Sequence, residues 1–152
     1  MSIERYGKDV KLGYAFGERI MRHMPMAASQ AFVWKSGCFV KRDASGHGEI
    51  ADSGDAYLVG WCETGQYTTS STAGQDLLPV DRSYNSCYWI PADATVDITL
   101  VGKSCDLIVS GGIQYADIGE STEDVIIIEG VDVTNQLVLV RMNPGATREG
   151  VA

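Results

Sequence analysis

Histidine, the side chain most often used to move protons near neutral pH, occurs only twice in the 152 residues. His23 precedes Met24-Pro25, and His47 lies between Gly46 and Gly48. No His-x-x-x-His or comparable metal-ligand spacing joins them. A Ser-His-Asp triad is recognised by geometry and not by spacing, but the Gly-x-Ser-x-Gly elbow that presents a nucleophilic serine is missing. The four cysteines, Cys38, Cys62, Cys87 and Cys105, are far apart, with no Cys-x-x-Cys pair for a zinc knuckle or a thioredoxin-type dithiol. Each has apolar or aromatic neighbours, as in Trp61-Cys62 and Cys87-Tyr88-Trp89. That is the setting of a buried free thiol, although spacing alone leaves disulfides open.

Two further groupings invite a chemical reading. Gly46-His47-Gly48-Glu49-Ile50-Ala51 fits the Gly-x-Gly-x-x-Ala dinucleotide pattern, which works only between a buried strand and the start of a helix. The residues that follow, Asp52-Ser53-Gly54-Asp55, do not start a helix, so the stretch reads as a hairpin tip. The carboxylates Asp117, Glu120, Glu123 and Asp124 have the composition of a glycosidase pair or a calcium loop. Their context is that of solvated turn residues before a strand, and the spaced Asp/Asn pattern of a calcium loop is lacking. No catalytic residue, cofactor or metal ligand is therefore expected, and the sequence is not read as an enzyme.

The elements around these residues are short and β-rich. Strand-like runs occur at residues 56–63, 77–80, 86–90 and 95–100, separated by Asp, Pro and Asn. Residues 31–41 read as a strand pair around Lys35-Ser36-Gly37, and residues 66–73 as a polar strand or loop. Residues 124–129 and 136–142 form the clearest hairpin. On it Ile126 and Ile128 are expected to meet Leu137 and Leu139 on one face. No internal repeat is visible. The predicted fold is mainly β, a compact β-barrel, β-tulip or sandwich-like domain over residues 31–145. An extended N-terminal arm (1–30) precedes it, with one short helix possible over 14–24, the alternative being that this stretch is the first irregular edge of the domain, and a C-terminal tail (146–152) follows.

The net charge of −8 is unevenly spread. Arg5, Lys8, Lys11, Arg19 and Arg22 outnumber the acids before Pro25, whereas residues 91–144 carry nine acids against Lys103 and Arg141. An acidic domain repels nucleic acid, and no apolar run is long enough to span a bilayer as a helix, so neither partner is expected. No apolar secretion signal opens the chain, which suggests synthesis in the cytoplasm. The basic leading segment, with Tyr14 and Phe16, is the candidate for contact with an acidic partner.

The last third carries a pattern of the kind found in small phage virion proteins. It runs through Pro91-Ala92-Asp93-Ala94, Asp97-Ile98-Thr99-Leu100-Val101-Gly102-Lys103-Ser104-Cys105-Asp106-Leu107, and Gly112-Ile113-Gln114-Tyr115-Ala116-Asp117. It then closes with Val125-Ile126-Ile127-Ile128 and Leu137-Val138-Leu139-Val140-Arg141-Met142-Asn143-Pro144. Gly37-Cys38-Phe39-Val40-Lys41 and Tyr57-Leu58-Val59-Gly60 are similar to the opening strands of the same proteins. Over most of residues 31–145 the chain resembles tailed-bacteriophage capsid decoration, or cement, proteins. The resemblance implies a non-catalytic virion protein on the capsid exterior, self-associating as a homotrimer or homodimer and bridging major capsid protein subunits. In that reading Arg5, Lys8, Lys11, Tyr14, Phe16, Arg19 and Arg22 contact the capsid. The competing readings are a tail-tube or head-fibre base component, and a β module binding a small ligand or carbohydrate with Trp34, Trp61 or Trp89 as stacking platforms.

Overall fold

The computed structural model describes residues 12–146. Its strands are β1 (Gly13–Phe16), β2 (Met21–Pro25), β3 (Ala31–Phe32), β4 (Cys38–Arg42), β5 (Gly48–Ile50), β6 (Gly60–Cys62) and β7 (Tyr67–Thr68). They continue with β8 (Leu77–Asp81), β9 (Cys87–Pro91), β10 (Ser104–Ser110), β11 (Ile113–Asp117), β12 (Ile126–Asp132) and β13 (Leu137–Met142). The only helical turns among the described residues are two short 3-10 segments, Ile98–Leu100 and Pro144–Ala146. The fold is mainly β and sandwich-like, as its short β-branched runs predict.

A five-stranded sheet in the order β2-β8-β6-β4-β5 packs against a six-stranded sheet in the order β1-β9-β13-β12-β10-β11, and β3 and β7 form a small ribbon. Neither sheet closes into a barrel, but each curls back on itself through one isolated parallel bridge. Met26, just past β2, bridges Gly48 on β5, and Ala92, just past β9, bridges Ala116 on β11.

These bridges reveal a likeness between the two sheets that the residues do not show. In both five-stranded units the first strand pairs with the last, the last with the fourth, the fourth with the second, and the second and third form a hairpin. Pro25 lies opposite Leu77 as Pro91 lies opposite Leu137. The backbone bonds repeat too: Met26 and Ala92 donate to Asp76 and Gln136, and Ala27 and Asp93 donate to Gly48 and Ala116. Residues 21–81 and 87–142 thus fold with one connectivity. β1 is the addition, covering the outer edge of β9.

The main core lies between the sheets. Phe39, Leu58 and Trp61 from the first unit meet Tyr88, Ile90, Ile126, Ile128, Val138, Val140 and Met142 from the second. A smaller core fills the curl of the first unit, with Met24, Met26, Phe32, Val40, Val59, Cys62 and Val80. Alternation along β4 and β6 sends Phe39 and Trp61 to one core and Val40 and Cys62 to the other. Gly48 lies so close beneath Met24 and Met26 that a Cβ there would meet Met24 Sδ at 2.6 Å.

Several expectations are corrected. The helix proposed over 14–24 is replaced by β1 and β2. The described part of the presumed arm is built into the domain, because Met24 and Met26, 2% and 1% exposed, supply apolar volume that the first curl needs. Residues 31–41 do contain two strands, but β3 pairs with β7 and not with β4. Residues 95–100 form the 3-10 turn at Ile98–Leu100, with Asp97 capping Thr99 N–H. In the closing hairpin Ile126 and Ile128 lie opposite Met142 and Val140, because a bulge between Ile128 and Gly130 shifts the register. Leu137 and Leu139 consequently fall outside the cluster that holds Ile126 and Ile128.

Candidate functional surface

Of the residues expected to meet a partner, Arg5, Lys8 and Lys11 lie outside the described residues. The other four divide into two groups. Tyr14 and Arg19 are tied into the domain. The Arg19 guanidinium lies 4.0 Å above the Tyr14 ring and bonds Asp81 at 3.3 Å and Glu63 at 2.7 Å. Tyr14 donates its hydroxyl to the Gly17 carbonyl. Phe16 and Arg22 remain outward, Phe16 being 56% exposed.

Asp81 is the centre that Arg19 serves, and nothing in the sequence pointed to it. Its side chain is fully buried, yet it accepts from Tyr88 Oη at 2.7 Å and from the N–H groups of Ile20 and Ser83 at 3.0 and 3.1 Å. Burial pushes this carboxyl up, but donation from Tyr88, Ser86, Ile20 and Ser83 outweighs it and holds the group below the usual carboxylate range. Tyr88, beneath it, stacks on Trp61 at 4.4 Å and meets Phe39 edge-on at 5.5 Å. A paired carboxylate of this kind ties β1, β2, β8 and β9 together. Trp61, 1% exposed, is spent in the same stack and presents no platform to a glycan, while Trp34 and Trp89 are half-buried.

The carboxylates of the second unit serve the backbone. Asp106 Oδ1 accepts from the N–H groups of Glu123 and Asp124 at 2.7 and 2.8 Å, and Asp93 Oδ1 accepts from Ile118 N–H at 2.8 Å. Asp117 lies beside Asp93, and burial together with this hydrogen-bonded neighbour raises its carboxyl to about 6. Among the described residues no three His, Cys, Asp or Glu side chains converge as metal ligands. An open groove of about 480 Å³ runs between the 3-10 turn and the loop after β11, lined by Leu100, Lys103, Cys105, Ile118, Glu120 and Ile128. Its polar side chains come from the start of β10 (Ser104 and Cys105) and from the flanking turns (Lys103, Glu120 and Ser121).

Four of the exposed large apolar side chains, Phe16, Ile20, Met21 and Tyr84, lie on neighbouring segments, whereas Val33, Tyr67, Leu77, Ile98, Val101 and Val133 are exposed elsewhere. Phe16 lies opposite Cys87 on β9, Ile20 accepts from Arg82 N–H, and Met21 lies opposite Asp81. Tyr84 sits in the turn between those partners. All four are at least 37% exposed, and Arg22 stands next to them. The chain enters β1 at Gly13, opposite Trp89, and leaves it at Phe16. The sequence signal for this surface was the run of apolar residues among bases, and it pointed to Phe16, Arg22 and the Met21–Met26 stretch but not to Ile20 or Tyr84.

Comparison of the chain with protein-family models, with curated proteins and with solved structures returned no match.

Proposed function

We propose that this chain is a structural virion protein that binds the outer surface of a phage capsid and cements neighbouring major capsid protein subunits. The observation that carries the reading is the apolar patch formed by Phe16, Ile20, Met21 and Tyr84 beside Arg22. The basic leading segment, with Arg5, Lys8 and Lys11, precedes β1, whose last residue is Phe16. Apolar anchors supply affinity at an interface, and surrounding cations steer approach to an acidic surface. The resemblance of residues 31–145 to decoration proteins supports the same reading. Such a protein works by adding contact energy across a seam, repeated over many symmetric copies, and needs no bond-making residue.

The test uses capsids stripped of this protein, with the full chain added back and occupancy measured by sedimentation. A Phe16→Ser/Met21→Ser variant is expected to fold as the parent does and to lose at least tenfold in occupancy. Undiminished binding by that variant, or no binding by the parent, overturns the proposal.

A further inference from the structure

Cys38 on β4 and Cys62 on β6 stand directly opposite each other in an antiparallel pair. Opposed residues of such a pair project to the same face, with Cα atoms about 4.5–5.5 Å apart. That separation lies inside the range a disulfide spans. Both side chains turn toward the smaller core, where Cys62 is a member and Cys38 packs against it. Both are free thiols. Their access differs: Cys62 is fully buried, whereas Cys38 is partly exposed and lines a cavity of about 20 Å³ with Val33 and Trp34. The other two cysteines have no such counterpart, since Cys87 lies opposite Phe16 and Cys105 opposite Ile126.

We propose that Cys38 and Cys62 are an oxidisable pair that closes into a cross-strand disulfide by exchange with a small disulfide such as oxidised glutathione. The Cys38 thiolate attacks one glutathione sulfur, expelling glutathione thiolate and leaving a mixed disulfide on the accessible side. The Cys62 thiolate then attacks the Cys38 sulfur and expels the second glutathione. The two protein thiols lose two electrons to the glutathione disulfide, and their protons go to the two departing thiolates. Burial raises both protein thiols, Cys62 to about 12, and the neighbouring thiol adds to the rise at Cys38. Exchange is therefore slow at neutral pH and faster in alkali.

The bridge staples the middle of the first unit, whose curl holds the smaller of the two cores. A protein made in a reducing compartment and later moved outside it gains that staple on leaving. The inference does not depend on which surface the protein binds.

The experiment treats the folded full-length chain with oxidised glutathione at mildly alkaline pH, blocks residual thiols, and reads intact mass and a peptide map. The expected product has lost two hydrogens, joins Cys38 to Cys62, melts roughly 5 °C higher than the reduced form, and reverts with dithiothreitol. Cys62→Ser should instead retain glutathione on Cys38, and a Cys87→Ser/Cys105→Ser variant should bridge as the parent does. A stable glutathione adduct on Cys38 of the parent, a bridge between any other pair, or an unchanged mass overturns the proposal. So does a Cys87→Ser/Cys105→Ser variant that folds and fails to bridge.

Discussion

The side-chain amide of Gln114 on β11 completes the backbone of Phe39 on β4, accepting its N–H at 2.8 Å and donating to its carbonyl at 2.9 Å. The same nitrogen donates to the Ala51 carbonyl at 3.0 Å. One buried glutamine thereby stands in for a strand where the two sheets meet. Gln114→Leu keeps the volume but removes all three bonds. A loss of about 2–4 kcal/mol is expected, since each buried group left unpaired costs about 1–3 kcal/mol. Gln114→Glu should be at least as harmful, because it turns an oxygen toward two carbonyls. Thermal unfolding of both variants checks this, and parental melting would mean that the amide is not the joint between the sheets.

Acid sensitivity should centre on Asp81. Its folded-state carboxyl titrates below its ordinary range, so its stabilising contribution is present above the unfolded value of 3.8. That contribution is lost as pH falls through the depressed folded value. Tyr88→Phe removes one donor from the buried carboxylate and should cost about 1–3 kcal/mol at neutral pH. Asp81→Asn should be less stable than the parent at pH 7, with a gap that narrows in acid. Denaturant melts across the acid range measure both effects.

Asp117 should behave in the opposite sense. Its carboxyl is raised to about 6, above its ordinary 3.8. Its favourable contribution is therefore present in acid and lost as pH rises through 6. Asp117→Asn, which cannot ionise, should flatten the dependence of melting temperature on pH between roughly 4 and 7. It should also leave the protein at least as stable as the parent above that window. A variant with the parent's slope would show that Asp117 is not the group that sets this dependence.

In the closing hairpin, Ile126→Ala should cost about 2–5 kcal/mol, because it opens a cavity against Met142 and the main core. Glu120→Ala, on an exposed loop, should change stability by less than about 0.5 kcal/mol. Equal melting of the two variants would contradict the packing.

Truncation separates the two parts of the leading segment. Deleting residues 1–11 leaves every described strand in place and should leave cooperative unfolding intact. Deleting residues 1–28 removes β1, β2 and the buried Met24 and Met26, and should abolish it. Circular dichroism and calorimetry distinguish the outcomes, and a folded 29–152 fragment would show that the first curl needs neither strand.

The β class, the closing hairpin and the turn at 43–48 were legible because they rest on local rules. Side-chain alternation, β-branched runs, and Gly or Asp at tight turns all act within a few residues. The hairpin of β10 and β11 carried the same kind of signal. Gly111-Gly112 supplies the two positive φ values, 61° and 79°, of a two-residue turn. What joins distant segments was not legible. Arg19 and Asp81 are 62 residues apart, and Gln114 and Phe39 are 75 apart. No local pattern marks an amide or a carboxylate for burial before the chain has chosen its neighbours.

The repeated connectivity was hidden for a related reason. The pairs Val40–Gly60 and Cys105–Ile126 hold matching places in the two units yet share no residue type. By itself the sequence determined that the chain forms short strands whose side chains alternate between two faces, because alternation is a property of the extended backbone. Only the tertiary structure decided which strands pair, that β1 and β2 belong to the sheets, and that Tyr14 and Arg19 turn inward while Phe16 stays out. Those outcomes depend on filling two cores at once, and that volume is defined only after segments far apart in the chain have come together.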